Sequence, residues 1–591
     1  MKNGTKGEKA LKKQNRQSVL EGALILMAAT VVVKVIGALF KIPLANILGG
    51  GGMGYFMTAY SLFNPLYALA TAGLPVAVSK LVSESVARGR CQDAKRVFRL
   101  SLCLFLATGT LGCIAMVLGA RSFSQAVGNP GAALAVAVMG PAVFFGCFTS
   151  AFRGYNEGLR NMTPTALSQV VEAVARLVFG IAFATYLLHH GMAEYASYGT
   201  VYGQAAASLE DAQRLVLPVA SAGAVAGISV STACGSLFLL LRQFFCRDGI
   251  TREQLASSPR ARSRRELGRM LLTVALPVCL ASAAVNLTSL IDLGSIMNRL
   301  STALEENPQA ILNMYGGLLP EGMTLSEIPN YLYGSYTGLA VTVFNLVPAL
   351  TVTFGTSALP AVSSSWAVKN YQATKRNIQS ILRITALVAI PAGLGIFALS
   401  GPILNLLFSS RAAEAAIAAP VLRWMGLAVI LVAMASPVNS MLQAVGRADV
   451  PVKMILAGGL VKLGCNYLLI AVPEINIKGA PVGTILCYGL ILSVSLRILC
   501  RETGIALEWG KTFGKPFLAG IGCALCAWAA YGFFSRGVFS SRLSTLAAVA
   551  VGGGFYLMFL LFSKGFVKED VLMLPGGEKV SKILEKYSLL G

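Results

Sequence analysis

Apolar residues recur along this chain in blocks of about 20, the length at which an α-helix crosses a bilayer. Fourteen such blocks are present, near 19–47, 55–86, 95–119, 132–152, 163–188, 215–241, 267–291, 331–365, 377–400, 417–443, 451–472, 479–499, 514–535 and 543–563. Short polar segments separate them. The pattern predicts an all-α integral membrane protein with about fourteen transmembrane helices. Composition agrees: mean hydropathy is +0.67, 55% of residues are hydrophobic and 13% are charged. No stretch is left over for a soluble domain of useful size.

The basic residues give the spans a direction. If successive spans alternate sides, thirty-five of the 49 Lys and Arg fall in the two tails and the loops on the same side. The opposite loops hold seven: Arg121, Arg214, Arg299, Arg411, Lys478, Arg536 and Arg542. Such a bias predicts that both termini are cytoplasmic in a bacterial inner membrane. The net charge of +23 is therefore an orientation signal and does not call for nucleic acid. The run Arg260, Arg262, Arg264 and Arg265 reads the same way, with contact to anionic lipid as a further role. The first apolar block is too long for a signal peptide and no small-residue cleavage site follows it. Nearly all twelve cysteines lie within spans or at their cytoplasmic ends, which argues against structural disulfides. Cys523 and Cys526 have redox spacing, but in an apolar helix without acidic or histidine neighbours. His189 and His190 alone do not make a metal site.

The halves of the chain repeat. Phe152-Arg-Gly-Tyr-Asn-Glu-Gly-Leu-Arg-Asn-Met-Thr-Pro164 corresponds to Met441-Leu-Gln-Ala-Val-Gly-Arg-Ala-Asp-Val-Pro451. Each has a glycine-containing turn, then a proline suited to open a helix, then a cation about three turns in, Arg176 or Lys462. Phe63-Asn64 and Leu74-Pro75 likewise match Phe344-Asn345 and Leu359-Pro360. The offset is six spans. An even number of spans per repeat predicts two parallel six-helix bundles related by a pseudo-two-fold along the membrane normal, as in alternating-access transporters. The expected organisation is a basic tail (1–18), an N-terminal bundle (19–245), an Arg-rich linker (246–266), a C-terminal bundle (267–500), two added helices (501–563) and a cytoplasmic tail (564–591).

These motifs resemble a known family. The runs Gly54-Tyr-Phe-Met-Thr-Ala-Tyr-Ser-Leu-Phe63, Ala72-Gly-Leu-Pro-Val-Ala-Val-Ser-Lys-Leu-Val-Ser-Glu84 and Met162-Thr-Pro-Thr-Ala-Leu-Ser-Gln-Val-Val-Glu172 are similar to the stage V sporulation protein B branch of polysaccharide-biosynthesis membrane proteins. That branch lies in the multidrug/oligosaccharidyl-lipid/polysaccharide flippase superfamily, alongside the lipid II flippases. The resemblance covers nearly the whole chain. It implies outward translocation of an undecaprenyl-pyrophosphate-linked saccharide, lipid II or a related cell-wall or polysaccharide precursor, by a monomeric non-enzyme surrounded by membrane lipid. It also implies a cavity with basic residues from helices 1, 2 and 8. The first span supplies Lys34 and Lys41 and the second Lys80. Span 8 departs from the pattern: it has no Lys or Arg from Tyr331 to Trp366, and Asn345 is its most central polar residue.

Seven cations lie six or more residues inside apolar blocks: Lys34, Lys41, Lys80, Arg176, Arg383, Arg423 and Lys462. A cation at mid-bilayer costs roughly 2.5–3.5 kcal/mol, so it faces a partner or a wet cavity. Lys34 and Lys41 are seven residues apart and share one helix face, about 10 Å apart along the axis. They are candidates to meet a pyrophosphate; the alternative for Lys34 is a carboxylate partner that holds the bundle together. Lys80 lies near a helix end with Glu84 one turn on. Glu172 and Arg176, and Arg153 and Glu157, have the i,i+4 spacing of helical ion pairs, structural or gating. Lys462 is the counterpart of Arg176. Asp292 ends span 7 as an outer-gate partner, a cation-coupling site or a solvated helix end. Arg383 and Arg423 lie within about two turns of helix ends and can snorkel.

No cofactor or catalytic group is called for; the drive is the membrane potential or a coupled Na+ or H+. Gly504 to Gly510-Lys511-Thr512 imitates a P-loop, but the spacing is one residue too long and no nucleotide-binding domain surrounds it. A drug/cation antiporter of the same fold is the main alternative. It would call for buried carboxylates to dominate, whereas here the embedded groups are mainly basic.

Overall fold

The computed structural model describes residues 19–563, except 72, 247, 538 and 539, together with residue 565. The basic tail and, residue 565 apart, the cytoplasmic tail expected from the sequence lie outside them. The described residues are mainly helical, and their principal helices are α1 (Val19–Thr71), α2 (Gly73–Ala87), α3 (Cys91–Ala126), α4 (Ala133–Gly158), α5 (Thr163–Tyr198), α6 (Leu209–Phe245), α7 (Arg264–Glu306), α8 (Ile328–Ser335), α9 (Leu346–Ala367), α10 (Tyr371–Leu407), α11 (Ala412–Ala444), α12 (Asp449–Leu469), α13 (Ala480–Thr503), α14 (Lys515–Phe534) and α15 (Ser541–Phe562). A two-stranded hairpin, Thr200–Val201 with Gln204–Ala205, caps the α5–α6 turn.

Eleven helices among the described residues are long and apolar enough to cross a membrane. The number is twelve if Leu325–Phe344 and Leu346–Gly355, bent by 42°, form one span. The protein is thus a multi-pass, all-helical membrane protein. This criterion returns fewer spans than there are apolar blocks: Ile25–Ala87, 63 residues long, carries two of them, and Arg264–Glu306, over the block 267–291, is not among the eleven. A straight helix of that length would measure about 95 Å, against a hydrocarbon core of about 30 Å. It reverses at Gly49, whose φ of 63° and ψ of −171° suit glycine alone. The reversal is visible in contacts. Phe40 and Phe56 would lie about 24 Å apart along one helix, yet their ring centroids are 6.2 Å apart.

Two compact units are present. The first comprises Tyr55–Leu293 and the described residues up to Leu48. Its helices pack through small residues, which let backbones approach in the absence of a hydrophobic drive. A Cβ on Gly227 would fall 2.3 Å from Gly180, and one on Gly154 2.8 Å from the Pro75 carbonyl oxygen. Hydroxyls link helices: Ser229 Oγ donates to Val138 O at 2.7 Å and Ser236 Oγ to Phe145 O at 2.9 Å. Large apolar side chains turn outward, among them Leu111, Leu118 and Val178.

The Arg-rich linker is fixed to this unit rather than free. Gln92 Nε2 donates to Leu255 O at 3.1 Å, and Arg262 N donates to Asp93 Oδ1 at 2.8 Å. Asp248 receives Lys95 Nζ and, at 2.8 Å, the Tyr155 hydroxyl. Burial pushes the Asp248 carboxyl up, but the hydrogen bonds from Lys95 and Tyr155 and the Lys95 charge outweigh it, so it lies below the ordinary aspartate value.

The second unit comprises Gly49–Gly54 and the described residues from Gly294 onward. Its core is built by α10, α11 and α13, with Leu382, Ala386, Val438, Met441, Leu442 and Leu499 fully buried. Helices α14 and α15 pack on each other and on α10: Tyr556 Oη donates to Leu387 O at 2.8 Å. The turn between α11 and α12 resembles that between α4 and α5. Arg447 N bonds back to Leu442 O as Asn161 N does to Asn156 O.

Candidate substrate-binding site

Three elements of the first unit converge on a basic cluster: the two limbs of α1 and helix α5. Phe40 is the anchor. It is 3% exposed, touches the Phe56 ring, and occupies the space where Gly180 of α5 has no side chain, 2.6 Å from an ideal Cβ. With Phe40 fixed, Lys41 is turned to the adjacent face. Its Nζ lies 5.4 Å from the centroid of the Tyr60 ring, a cation–π contact worth about 0.5–2 kcal/mol. Tyr60 belongs to a row along the second limb of α1, Phe56, Tyr60, Phe63 and Tyr67. Successive centroids are 5.9, 6.1 and 4.9 Å apart.

Arg176 stands one turn before Gly180. It and Lys34 lie close enough to act electrostatically on both Lys41 and Tyr60. The cluster is therefore Lys34, Lys41 and Arg176, and none of the three forms an ion pair among the described residues. Arg176 Nε is buried without a hydrogen-bond partner there. Lys34 is exposed and Lys41 half-buried.

The carboxylate expected beside Arg176 is engaged elsewhere. Glu172 Oε1 accepts from Arg153 Nη2 of α4 at 2.9 Å, and Arg153 Nε donates to Ser168 Oγ at 2.9 Å. The side chains are 13% and 10% exposed. Glu172 lies in a notch left by Gly235 of α6, 2.5 Å from where a Cβ would be. The i,i+4 pairs Glu172–Arg176 and Arg153–Glu157 are thus replaced by one pair between helices. The reason is geometric: Arg153 offers Glu172 a planar fork already braced by Ser168. Glu157 instead accepts from Thr165 Oγ1 at 3.1 Å.

The other candidates lie apart from this cluster. Lys80 on α2 is exposed and forms no ion pair with Glu84. Asp292 is half-buried on α7. In the second unit, Asn345 is exposed where the helix breaks between Phe344 and Leu346. A π-turn, Tyr336–Ala340, precedes the break, a feature common at functional sites. Lys462 is 7% exposed on α12, against Gly483 and beside Asn466, whose amide donates to Ser295 Oγ at 3.0 Å. Arg423 is exposed near the Phe397 ring, and Arg383 is half-buried.

One constellation has no counterpart among the sequence candidates. Gly50 N donates to Glu414 Oε1 at 3.2 Å, and Asn330 Nδ2 donates to Gly51 O at 2.9 Å. Glu414 is 6% exposed, with Arg411 Nη1 at 3.8 Å. A Cβ on Gly334 would fall 1.8 Å from Gly50 O. The signal was in the sequence: five glycines in Gly49–Gly54, at the end of an apolar block.

This fold is similar to that of solved transporters of the multidrug/oligosaccharidyl-lipid/polysaccharide superfamily. It is similar to a lipid II flippase in an inward closed conformation (TM-score 0.60, 13% identity, 91% of this chain and 98% of that one). It is also similar to an inward-facing multidrug resistance transporter of that superfamily (TM-score 0.59, 16% identity, 82% and 99%). Sequence narrows the class. Residues 19–209 match the family "Polysaccharide biosynthesis protein" and residues 334–549 the family "Lipid II flippase MurJ". Stage V sporulation protein B of Bacillus subtilis (strain 168) is 24% identical over 95% of this chain and 98% of its own length. Lipid II flippase MurJ of the same organism is 24% identical over 94% and 98%. The first half of the chain thus matches one of these families and the second half the other.

Proposed function

We propose that this protein is a flippase for a polyprenyl-diphosphate-linked saccharide, lipid II or a related cell-wall or polysaccharide precursor. It carries the headgroup from the inner to the outer leaflet of the bacterial cytoplasmic membrane by alternating access. In this reading the chain crosses fourteen times, has both termini in the cytoplasm and works as a monomer without catalysing a reaction. The observation that carries it is the cluster of Lys34, Lys41 and Arg176, three cations without a carboxylate partner among the described residues. Lys80 and Asn345 are further headgroup contacts along the path.

Charge supports an anionic cargo over the cationic drug of an antiporter. The buried carboxylates Asp93, Glu172 and Glu414 each face an arginine, which leaves them occupied. Energetics supports the direction. A headgroup with about two negative charges moving outward down an inside-negative potential gains roughly 4–5 kcal/mol per 100 mV if its charge crosses uncompensated. A coupled Na+ or H+ would add to this. The test is complementation of a flippase-depleted bacterium with outer-leaflet lipid II measured. Restored translocation is expected; none, despite normal membrane abundance, refutes the lipid II reading.

A further inference from the structure

We propose that the outer ends of α7 and α12 form a binding site for an anionic phospholipid, with Arg299 on its phosphate and the exposed leucines of α12 along an acyl chain. Arg299 and α12 belong to the second unit, whereas Lys34, Lys41 and Arg176 belong to the first. The assignment to the outer leaflet rests on the topology of the proposed function.

Cations are scarce on that side of a membrane. Of the seven outside Lys and Arg, Arg214 and Arg411 pair with Asp211 and Glu414. Arg542 donates to Ser409 Oγ at 2.9 Å, Lys478 donates to Met314 Sδ at 3.2 Å, and Arg121 and Arg536 are exposed. Arg299 differs. It is half-buried, and its guanidinium carbon lies 4.0 Å from the centroid of the Tyr467 ring. Its Nε is buried without a hydrogen-bond partner, and it forms no ion pair among the described residues. Stacking on Tyr467 holds the side chain in place but satisfies none of its N–H donors. With Nε turned inward, the two Nη groups are left to meet a ligand, as a planar fork that suits phosphate oxygens.

Below the fork the surface is apolar. Tyr467 is 55% exposed and lies two residues from the end of α12. Leu463, Leu460 and Leu456 are exposed by 37%, 69% and 46% and continue the same helix face four, seven and eleven residues back. The stripe runs about 16 Å down the helix, against about 15 Å for one leaflet of a hydrocarbon core of about 30 Å. Exposed leucines by themselves mean only that α12 faces lipid. Beneath a guanidinium fork they match an acyl chain below its phosphate. Charge then selects the lipid. One cation not paired with a carboxylate fits a singly charged phosphodiester such as phosphatidylglycerol, and offers nothing to the ammonium of phosphatidylethanolamine.

Native mass spectrometry of the purified full-length protein tests this, with phosphatidylglycerol, phosphatidylethanolamine, glycerol phosphate and undecaprenyl diphosphate as probes. The wild type should hold phosphatidylglycerol at least about tenfold tighter than phosphatidylethanolamine. Arg299→Gln should weaken phosphatidylglycerol binding by about 10–100-fold, the loss of charge-assisted hydrogen bonds, and erase the preference. Arg299→Lys should restore it in part, and Tyr467→Leu should cost about twofold to fivefold through the lost cation–π contact. Arg536→Gln should change nothing. Phosphatidylglycerol should also raise the melting temperature of the wild type and not that of Arg299→Gln. If Arg299→Gln does not fold, Arg299→Lys and Tyr467→Leu decide by the same preference. Folded Arg299→Gln that binds phosphatidylglycerol as the wild type does, or a wild type without the preference, overturns the site. Glycerol phosphate bound as tightly as the lipid would remove the acyl stripe and overturn the lipid assignment. Undecaprenyl diphosphate that displaces phosphatidylglycerol through Arg299 would assign the site to the transported lipid and overturn the phospholipid. Phosphatidylglycerol is not the cargo, so its failure to bind leaves the flippase reading standing, and failed complementation leaves this site standing.

Discussion

Removing either member of the Arg153–Glu172 pair should destabilise the protein more than removing both. The two side chains are 13% and 10% exposed and meet at 2.9 Å, so solvent cannot take over for a lost partner. Arg153→Met leaves a carboxylate buried in its Gly235 notch, and Glu172→Leu leaves a guanidinium whose remaining hydrogen bond is to Ser168. Breaking a buried pair costs about 3–5 kcal/mol, whereas replacing both groups with apolar ones is often close to neutral. At about 2 °C per kcal/mol for a unit of some 250 residues, each single variant should melt roughly 6–10 °C lower. The double variant should recover most of that. The assay is a double-mutant cycle on purified protein, monitored by thermal unfolding. Additive losses would refute the pairing. A large coupling of Glu172 with Arg176 in place of Arg153 would show that the i,i+4 pair governs after all.

Two further outcomes follow from close contacts. Gly334→Ala should lower the melting temperature markedly, because its methyl would lie 1.8 Å from Gly50 O, and backbone cannot move aside cheaply; forced overpacking costs about 1–3 kcal/mol or more. Gly553→Ala, with open space around it, should melt like the wild type, and equal melting of both variants would contradict the contact. Asp248→Asn should loosen the Arg-rich linker at neutral pH, seen as faster tryptic cleavage near Arg260 to Arg265. The Asp248 carboxyl lies below its unfolded value. Its contribution is therefore complete above the unfolded aspartate value near 4 and is lost as pH falls through the lower folded value. Hydrogen exchange in residues 248–262 should rise only in that acidic window, and linker protection unchanged there would count against the clasp.

The helices were legible because a span is a local property: about 20 apolar residues specify it whatever surrounds them. Lys34 and Lys41 were legible as neighbours for the same reason, since seven residues make two turns. Pairing across helices was not. Glu172 has Arg176 one turn away in sequence, but the choice of Arg153 depends on α4 meeting α5 and on the space at Gly235. Tyr60 comes to Lys41 only through the reversal at Gly49. The row Phe56, Tyr60, Phe63 and Tyr67 follows a helical period that could have been read, though not what it faces. The break at Asn345 has no glycine or proline at the residue itself to announce it; Pro348 lies three residues on. The seat of Gly50 on Glu414 joins residues 364 apart, a distance over which no local pattern carries information.

In the proposed function the basic cluster meets the headgroup of a translocated lipid. The most direct measurement is outer-leaflet lipid II in flippase-depleted cells carrying the wild type or Lys34→Ala at matched membrane abundance. Lys34 is exposed and has no ion-pair partner among the described residues, so its loss should spare folding. The wild type should restore lipid II to the outer leaflet and Lys34→Ala should not, with both proteins equally abundant. Full translocation by Lys34→Ala, or a collapse of its abundance, would contradict the account.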